Sequence, residues 1–150
     1  MARISVMLLV DRHGRVLLQE RDQHAPVAPD KWGMVGGHVE DGEDFESAAY
    51  RELEEEAGVR LDGGLLLWRA EHFHYSDSDE PSDYRVWVAG TSLTDADIVV
   101  GEGRRIVFVE PEAIPGPRHQ RVVRALRHRV PGVPDVPGPG GTSLRQRPPA

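Results

Sequence analysis

The chain has 150 residues, 39% of them hydrophobic, no cysteine and a formal net charge of −7, enough for one domain with its own core and no sign of a second. Without thiols, disulfides, thiolate metal sites and cysteine nucleophiles are excluded, so any metal must be held by oxygen or imidazole. The acidic balance argues against a general phosphate-backbone binder, whose affinity comes from cationic neutralisation of phosphate.

From the N-terminus, RISVMLLVD and RVLLQER are apolar runs separated by RHG, which predicts a hairpin turning near Asp11 to Gly14. The stretch DQHAPVAPDKWG, punctuated by Pro26 and Pro29, predicts a loop that leads to a short extended piece at WGMVGGHV. A helix is expected from about Asp44 to Ala57, with Asp44 as its N-cap and Gly58 as its stop. Two longer strands follow, LLLWRAEHFHY and YRVWVAGTSL, with the acidic SDSDEPSD between them read as a hydrated loop. Its Asp77, Asp79 and Asp83 lack the glycine and terminal glutamate of a calcium loop.

RRIVFVE predicts a last strand, PEAI a short turn or helix, and Arg118 to Val130 an amphipathic helix with Val122, Leu126 and Val130 on one side. Its Arg121, Arg124 and Arg127 read as a solvated face. Residues 131–150 hold half of the twelve prolines, which predicts a Pro/Gly-rich tail without regular structure after a domain at 1–130. Strands around two helices in this order predict an α/β fold, a mixed β-sheet sandwiched between helices. No apolar run approaches the length of a membrane span, and the N-terminus reaches Asp11 too soon for a signal peptide, so a cytoplasmic protein is expected.

The helix raises an electrostatic question. On a 3.6-residue wheel Phe45, Ala48 and Ala49 define an apolar stripe whose continuation lands on Glu52 and Glu56, with Glu55 at its edge and Leu53 and Ala57 on its flank. Carboxylates three or four residues apart repel, and partly buried ones cost more, so a cation must compensate them. Oxygen donors without softer partners point to Mg2+, with Mn2+ as a substitute. A hydrated acidic run is the plainer alternative.

From Gly37 the chain reads glycine, five residues, Glu43, seven residues, then RELEEEAGV. Gly37, Glu43, Arg51, Glu52, Leu53, Glu55, Glu56, Gly58 and Val59 match the Nudix box at every specified position. The chain therefore resembles the Nudix hydrolases and is MutT-like in size; the strand order around the box is similar too. The resemblance implies the Nudix fold, an α/β/α sandwich, in which Glu52, Glu55, Glu56 and the Gly37 carbonyl bind Mg2+ and the substrate's diphosphate bridges the same ions. Arg51 and Glu43 would pair to brace the loop against the helix, as a bidentate arginine–carboxylate pair can.

Glu102 stands between two glycines before the last strand, resembling the position from which relatives bring a further metal ligand or base, so Glu52 and Glu102 compete for the role of general base. Gly36 and Gly37 would let the backbone approach the ion closely. Only Lys31 of the eighteen basic residues is lysine, which leaves arginine as the default phosphate contact, and Arg21 resembles a position where relatives use one. Trp32 lines the cleft or packs in the core. Val35 departs from the proline that many relatives carry there.

The resemblance implies Mg2+-dependent hydrolysis of a diphosphate linkage in a nucleoside diphosphate derivative, with nucleoside triphosphate to monophosphate and pyrophosphate the leading case. A nucleotide sugar, ADP-ribose or a dinucleoside polyphosphate is the alternative; Tyr75 stands near where dinucleoside polyphosphate hydrolases place a tyrosine. A module of another class would sense nucleotides without turning them over, but such modules commonly lose box carboxylates that this chain keeps. An RNA-end substrate rests only on the local charge of the arginine helix and tail. The expected partner is a nucleotide, with no membrane and no nucleic acid, and with a homodimer left open. His72 and His74 share one strand face and read as sheet surface or cleft lining, lacking a third close ligand.

Overall fold

The computed structural model describes residues 2–20, 23, 32–73, 81–101, 105–110 and 113. Their elements, in chain order, are β1 (Ala2–Val10), β2 (Val16–Glu20), β3 (Trp32–Gly33), β4 (Val35–His38), α1 (Phe45–Ala57), β5 (Leu66–Phe73), β6 (Ser82–Gly90) and β7 (Arg105–Val109), with a 3-10 turn at Asp95–Asp97 before β7. The expected helix at Arg118–Val130 and the tail at 131–150 lie outside the described residues, as do Pro26 and Pro29.

The sheet is mixed, as expected. β1 pairs in parallel with β6, from Ala2 opposite Ser82 to Val10 opposite Gly90, and antiparallel with β4 and β2. β5 runs antiparallel to β6, and β2 lies between β3 and β7. Along β1 the side chains alternate between the faces: Met7 and Leu9 join Ala49, Leu53 and Ala57 of α1, while Val6, Leu8 and Val10 join Val16, Leu18, Val86 and Val88 on the opposite face. Both sets are buried, which is why the strand reads as one continuous apolar run instead of an alternation. The hairpin between β1 and β2 forms where expected because the Asp11 carboxylate accepts the His13 and Arg15 amides, each at 2.9 Å, and Gly14 takes the left-handed conformation at φ 78°.

Two elements differ from the sequence reading. β6 begins at Ser82, so Asp83 is not a hydrated loop residue; its side chain is 14% exposed and is paired with Arg85. β6 also ends at Gly90, ahead of Leu93, because the Leu93 amide turns back to the Thr91 hydroxyl at 3.1 Å and the 3-10 turn follows. That turn was not anticipated. It is tied to β7 through Asp95, whose carboxylate accepts the Phe108 amide at 2.8 Å. No helix among the described residues is long and apolar enough to cross a membrane.

Candidate active site

α1 is fixed at both ends by local chemistry. The Asp44 carboxylate accepts the Ser47 amide at 2.7 Å, an N-cap, and Gly58 closes the helix in the left-handed region at φ 66°. The segment at 99–101 then doubles back over that end. Val99 and Gly101 donate their amides to the carbonyls of Ala57 and Glu56 at 2.9 and 2.7 Å, satisfying acceptors that a helix C-terminus leaves open. A Cβ at Gly101 would stand 2.2 Å from the Glu55 carbonyl, so only glycine lets the segment lie so close.

At the centre of the site is Arg51. Its Nε and Nη2 donate to Glu43 Oε2 and Oε1 at 2.8 and 2.9 Å, the bidentate brace expected from the sequence. Nη2 also reaches the His38 carbonyl at 3.0 Å, while Nη1 is shared by Glu52 Oε1 at 2.9 Å and Glu55 Oε2 at 3.0 Å. One guanidinium thus joins the loop carboxylate of Glu43 to the helix carboxylates of Glu52 and Glu55. The hydrogen bonds from Arg51 pull the Glu43 carboxyl down to about 2, and the same pairing raises Arg51 further above its ordinary value.

Glu52 has the opposite shift. Its side chain is 10% exposed, and burial raises its affinity for a proton against the pull of Arg51. The carboxylate lies directly over Gly37: a Cβ there would be 2.7 Å from its carbon and from each of its oxygens. As the wheel places it, Glu52 lies on the buried side of α1, while Leu53 and Ala57, expected only on the flank, continue the apolar stripe fully buried beside it. Glu55 is 58% exposed rather than partly buried. Glu56 is half-buried and accepts from Gln19 Nε2 on β2 at 3.4 Å.

The structure therefore brings Gly37, Glu43, Arg51, Glu52 and Glu55 together around one cation of the chain itself, and sets Glu56 one turn on, toward β2. Among the described residues no three His, Asp or Glu side chains already surround a common point as metal ligands. The reason is visible: Glu52 and Glu55 are turned onto Arg51, which supplies part of the compensation that the sequence reading assigned wholly to a metal. The donor chemistry nevertheless fits a hard divalent cation, since it consists of carboxylate and carbonyl oxygens and Gly37 leaves open the space that a side chain would take from Glu52.

Gly36 is held by packing: a Cβ would stand 2.2 Å from the Ser5 carbonyl, where β4 pairs with β1. Trp32 is half-buried, packs against the buried cluster on the sheet face opposite α1 and lies under the Arg105 guanidinium, which is 5.2 Å from its ring centre. Arg21, Lys31, Glu102, His74 and Tyr75 lie outside the described residues. His72 is exposed, with Nε2 3.9 Å from Asp83. Sequence reading missed Gln19, although a polar residue inside an apolar strand was the available signal. It also missed Arg3, whose guanidinium reaches the loop carbonyls of Glu40 and Glu43 at 3.0 and 3.3 Å.

A family model, the NUDIX domain, matches residues 1–128. Among curated proteins, an RNA pyrophosphohydrolase of Caulobacter vibrioides is 36% identical over 111 residues, covering 72% of this chain and 63% of that protein. A second RNA pyrophosphohydrolase, from Sphingopyxis alaskensis, is 32% identical over 83 residues, 54% of this chain and 49% of its own length. The chain spans about half the length of the first curated relatives it matches. Among solved structures, a MutT NUDIX hydrolase from Burkholderia pseudomallei superposes with a TM-score of 0.66 at 26% identity, covering 81% of this chain and 94% of that one.

Proposed function

Since this chain belongs to the NUDIX domain family, we propose that it hydrolyses the diphosphate linkage of nucleoside diphosphate derivatives, with nucleoside triphosphate cleaved to monophosphate and pyrophosphate as the leading case. One observation carries the reading: a buried carboxylate, Glu52, is pressed against Gly37 and fixed by an arginine that is itself braced by Glu43. Buried anions crowded in this way are stable only beside cations, and a polyphosphate substrate brings such cations with it.

Glu52, Glu55, Glu56 and the Gly37 carbonyl would hold Mg2+, with Mn2+ able to replace it, and Glu102 would add a ligand from the segment that follows Gly101. Bound there, the ion would neutralise phosphate oxygens and acidify an attacking water. Glu52 is assigned as the general base. Its carboxylate is held in place by Arg51 against Gly37, as a base must be. Arg51 orients the Glu52 carboxylate through Nη1 and keeps its other donors on Glu43, so it can yield Nη1 without losing its place. Arg21 would meet substrate phosphate.

A second reading is favoured by the relatives named RNA pyrophosphohydrolase: the triphosphate would be the 5′ end of an RNA. Incubation with nucleoside triphosphates, ADP-ribose, dinucleoside polyphosphates and 5′-triphosphorylated RNA, with the products identified, tests both. The expected products from a nucleoside triphosphate are monophosphate and pyrophosphate, abolished by a chelator. Turnover confined to the RNA selects the second reading, and binding without turnover across the panel selects a nucleotide sensor.

A further inference from the structure

We propose that Arg3 is a positioning residue for the acidic site: from the sheet side it holds the turn that carries Glu43, so that Arg51 and Glu52 keep their places. The inference rests on the hydrolase reading only for what the site then does. The turn at 40–43 is closed by its own bonds, since the Glu43 amide donates to the Glu40 carbonyl at 3.1 Å and the Glu40 amide donates to Glu43 Oε1 at 3.1 Å. That leaves the turn gripped by two cations. Arg51 takes the Glu43 carboxylate from the helix side, while Arg3 takes two carbonyls, Glu40 at 3.0 Å and Glu43 at 3.3 Å, from β1. The Arg3 backbone adds a third tie, its carbonyl accepting the Val39 amide at 2.9 Å.

The consequence follows from the chain of contacts. Glu43 Oε1 serves both the turn and Arg51, so a turn that drifts from the sheet moves the carboxylate that aims Arg51, and Arg51 in turn aims Glu52. A displacement of about 1 Å at such a joint is enough to cost about 10²-fold in rate. Arg85 supplies an internal control. It stacks on the same Phe45 ring as Arg3, at 4.4 Å against 5.7 Å, but its Nη1 donates to Asp83 and the Tyr84 carbonyl on its own strand. Arg3 and Arg85 share the aromatic contact; the hold on the turn belongs to Arg3.

The test compares Arg3→Met, Arg3→Lys and Arg85→Met in the full chain. Two readouts precede any assay of turnover: amide hydrogen exchange at 40–43 without metal, and Mn2+ binding by calorimetry without nucleotide. Arg3→Met is expected to speed exchange of the Glu43 amide and weaken Mn2+ binding, each about tenfold, the scale of losing a charge-assisted hydrogen bond. It should also lower kcat more than it raises KM. Arg3→Lys, which keeps the charge but not the two-pronged donor, should recover part of each loss, and Arg85→Met should change neither exchange nor Mn2+ affinity. Unchanged exchange and unchanged Mn2+ affinity in Arg3→Met would overturn the proposal; if that variant does not fold, Arg3→Lys is read on the same scale. A parent protein that binds no Mn2+, while Arg3→Met still loosens the turn, would remove the metal reading and leave the hold of Arg3 on the turn standing.

Discussion

Two arginine–glutamate pairs in this molecule look alike and behave differently. At the helix, Arg51 grips Glu43; at the far side of the sheet, Arg105 grips Glu20, and both carboxylates are largely buried. Arg105 sends Nε and Nη2 to the same oxygen of Glu20, at 2.9 and 2.7 Å, and rests its face over Trp32. Arg51 spreads its donors over Glu43, Glu52, Glu55 and the His38 carbonyl. Pairing alone does not mark a site. What distinguishes the candidate site is that one rigid fork links a loop, a helix and further carboxylates that the proposed chemistry would use.

The largest effect that sharpens this contrast is at Glu52. Glu52→Gln should lower turnover about 10³-fold or more, the scale of removing one preorganised charge from an active centre. Because burial raises the proton affinity of Glu52 in the folded chain, its charge works against stability at neutral pH; that penalty lifts as pH falls through the raised folded pKa and is gone below the unfolded one. The variant should therefore unfold at the parent's midpoint or above it at pH 7 without metal. Near-normal turnover would sink the assignment.

Next is Gly37→Ala. The nearest atoms the added methyl would meet are the end of a flexible side chain, all three Glu52 carboxylate atoms being at 2.7 Å. The carboxylate can swing aside, so the fold should hold to within about 1 kcal/mol while turnover drops about 10²-fold. Gly36→Ala is the counterpart. There the methyl would stand 2.2 Å from the Ser5 carbonyl, with nothing flexible to yield, so unfolding by urea should show a loss of about 3 kcal/mol. Equal stability losses at the two glycines would erase the distinction between a site glycine and a packing glycine.

A smaller effect lies in the pH dependence of stability. Glu43 is drawn from its ordinary 4.5 to about 2 by Arg51, so the native state binds fewer protons than the unfolded chain in that interval. The sign follows: its contribution is fully present above 4.5 and is lost as pH falls toward about 2. Urea midpoints of the metal-free protein measured down this range should fall, and Glu43→Gln should flatten the decline. An identical acid limb in that variant would show that the brace contributes nothing to folding.

How much of this was legible beforehand depended on distance along the chain. The hairpin at Asp11 and Gly14, the Asp44 cap and the Gly58 stop are set by bonds spanning a few residues, and the box motif fixes spacings within one loop and one helix. The alternation in β2 places Gln19 beside Leu17 on the helix-facing side, yet the run VLLQE reads as uniformly strand-like and nothing local separates Gln19 from its polar neighbour Glu20. Asp83 looked hydrated because its neighbours in sequence are polar; pairing with β1 across the sheet draws it into a strand. The sharing of Arg51 among several carboxylates, and of the Glu40 and Glu43 carbonyls with Arg3, depends on where a loop meets a sheet, which no local spacing encodes.

The smallest effect is expected at Arg105, and it bears on the contrast between the two pairs from the other side. Its side chain is 59% exposed, so water can take over much of what its guanidinium does, and exposed ion pairs contribute about 0–1 kcal/mol. Two considerations push the cost toward the upper end. Glu20, 11% exposed, would keep a charge with less compensation, and the contact of the cation with Trp32 adds about 0.5–1 kcal/mol. Methionine keeps a polarisable chain over the indole and restores part of that contact. Arg105→Met should thus destabilise by about 1 kcal/mol in urea unfolding and leave kcat and KM within about twofold of the parent, since the residue touches neither Arg51 nor the box carboxylates. A tenfold rise in KM for nucleotide would reverse the lesson: the Glu20, Trp32 and Arg105 row would then be where the substrate base rests, and the sheet face opposite α1 would belong to the site.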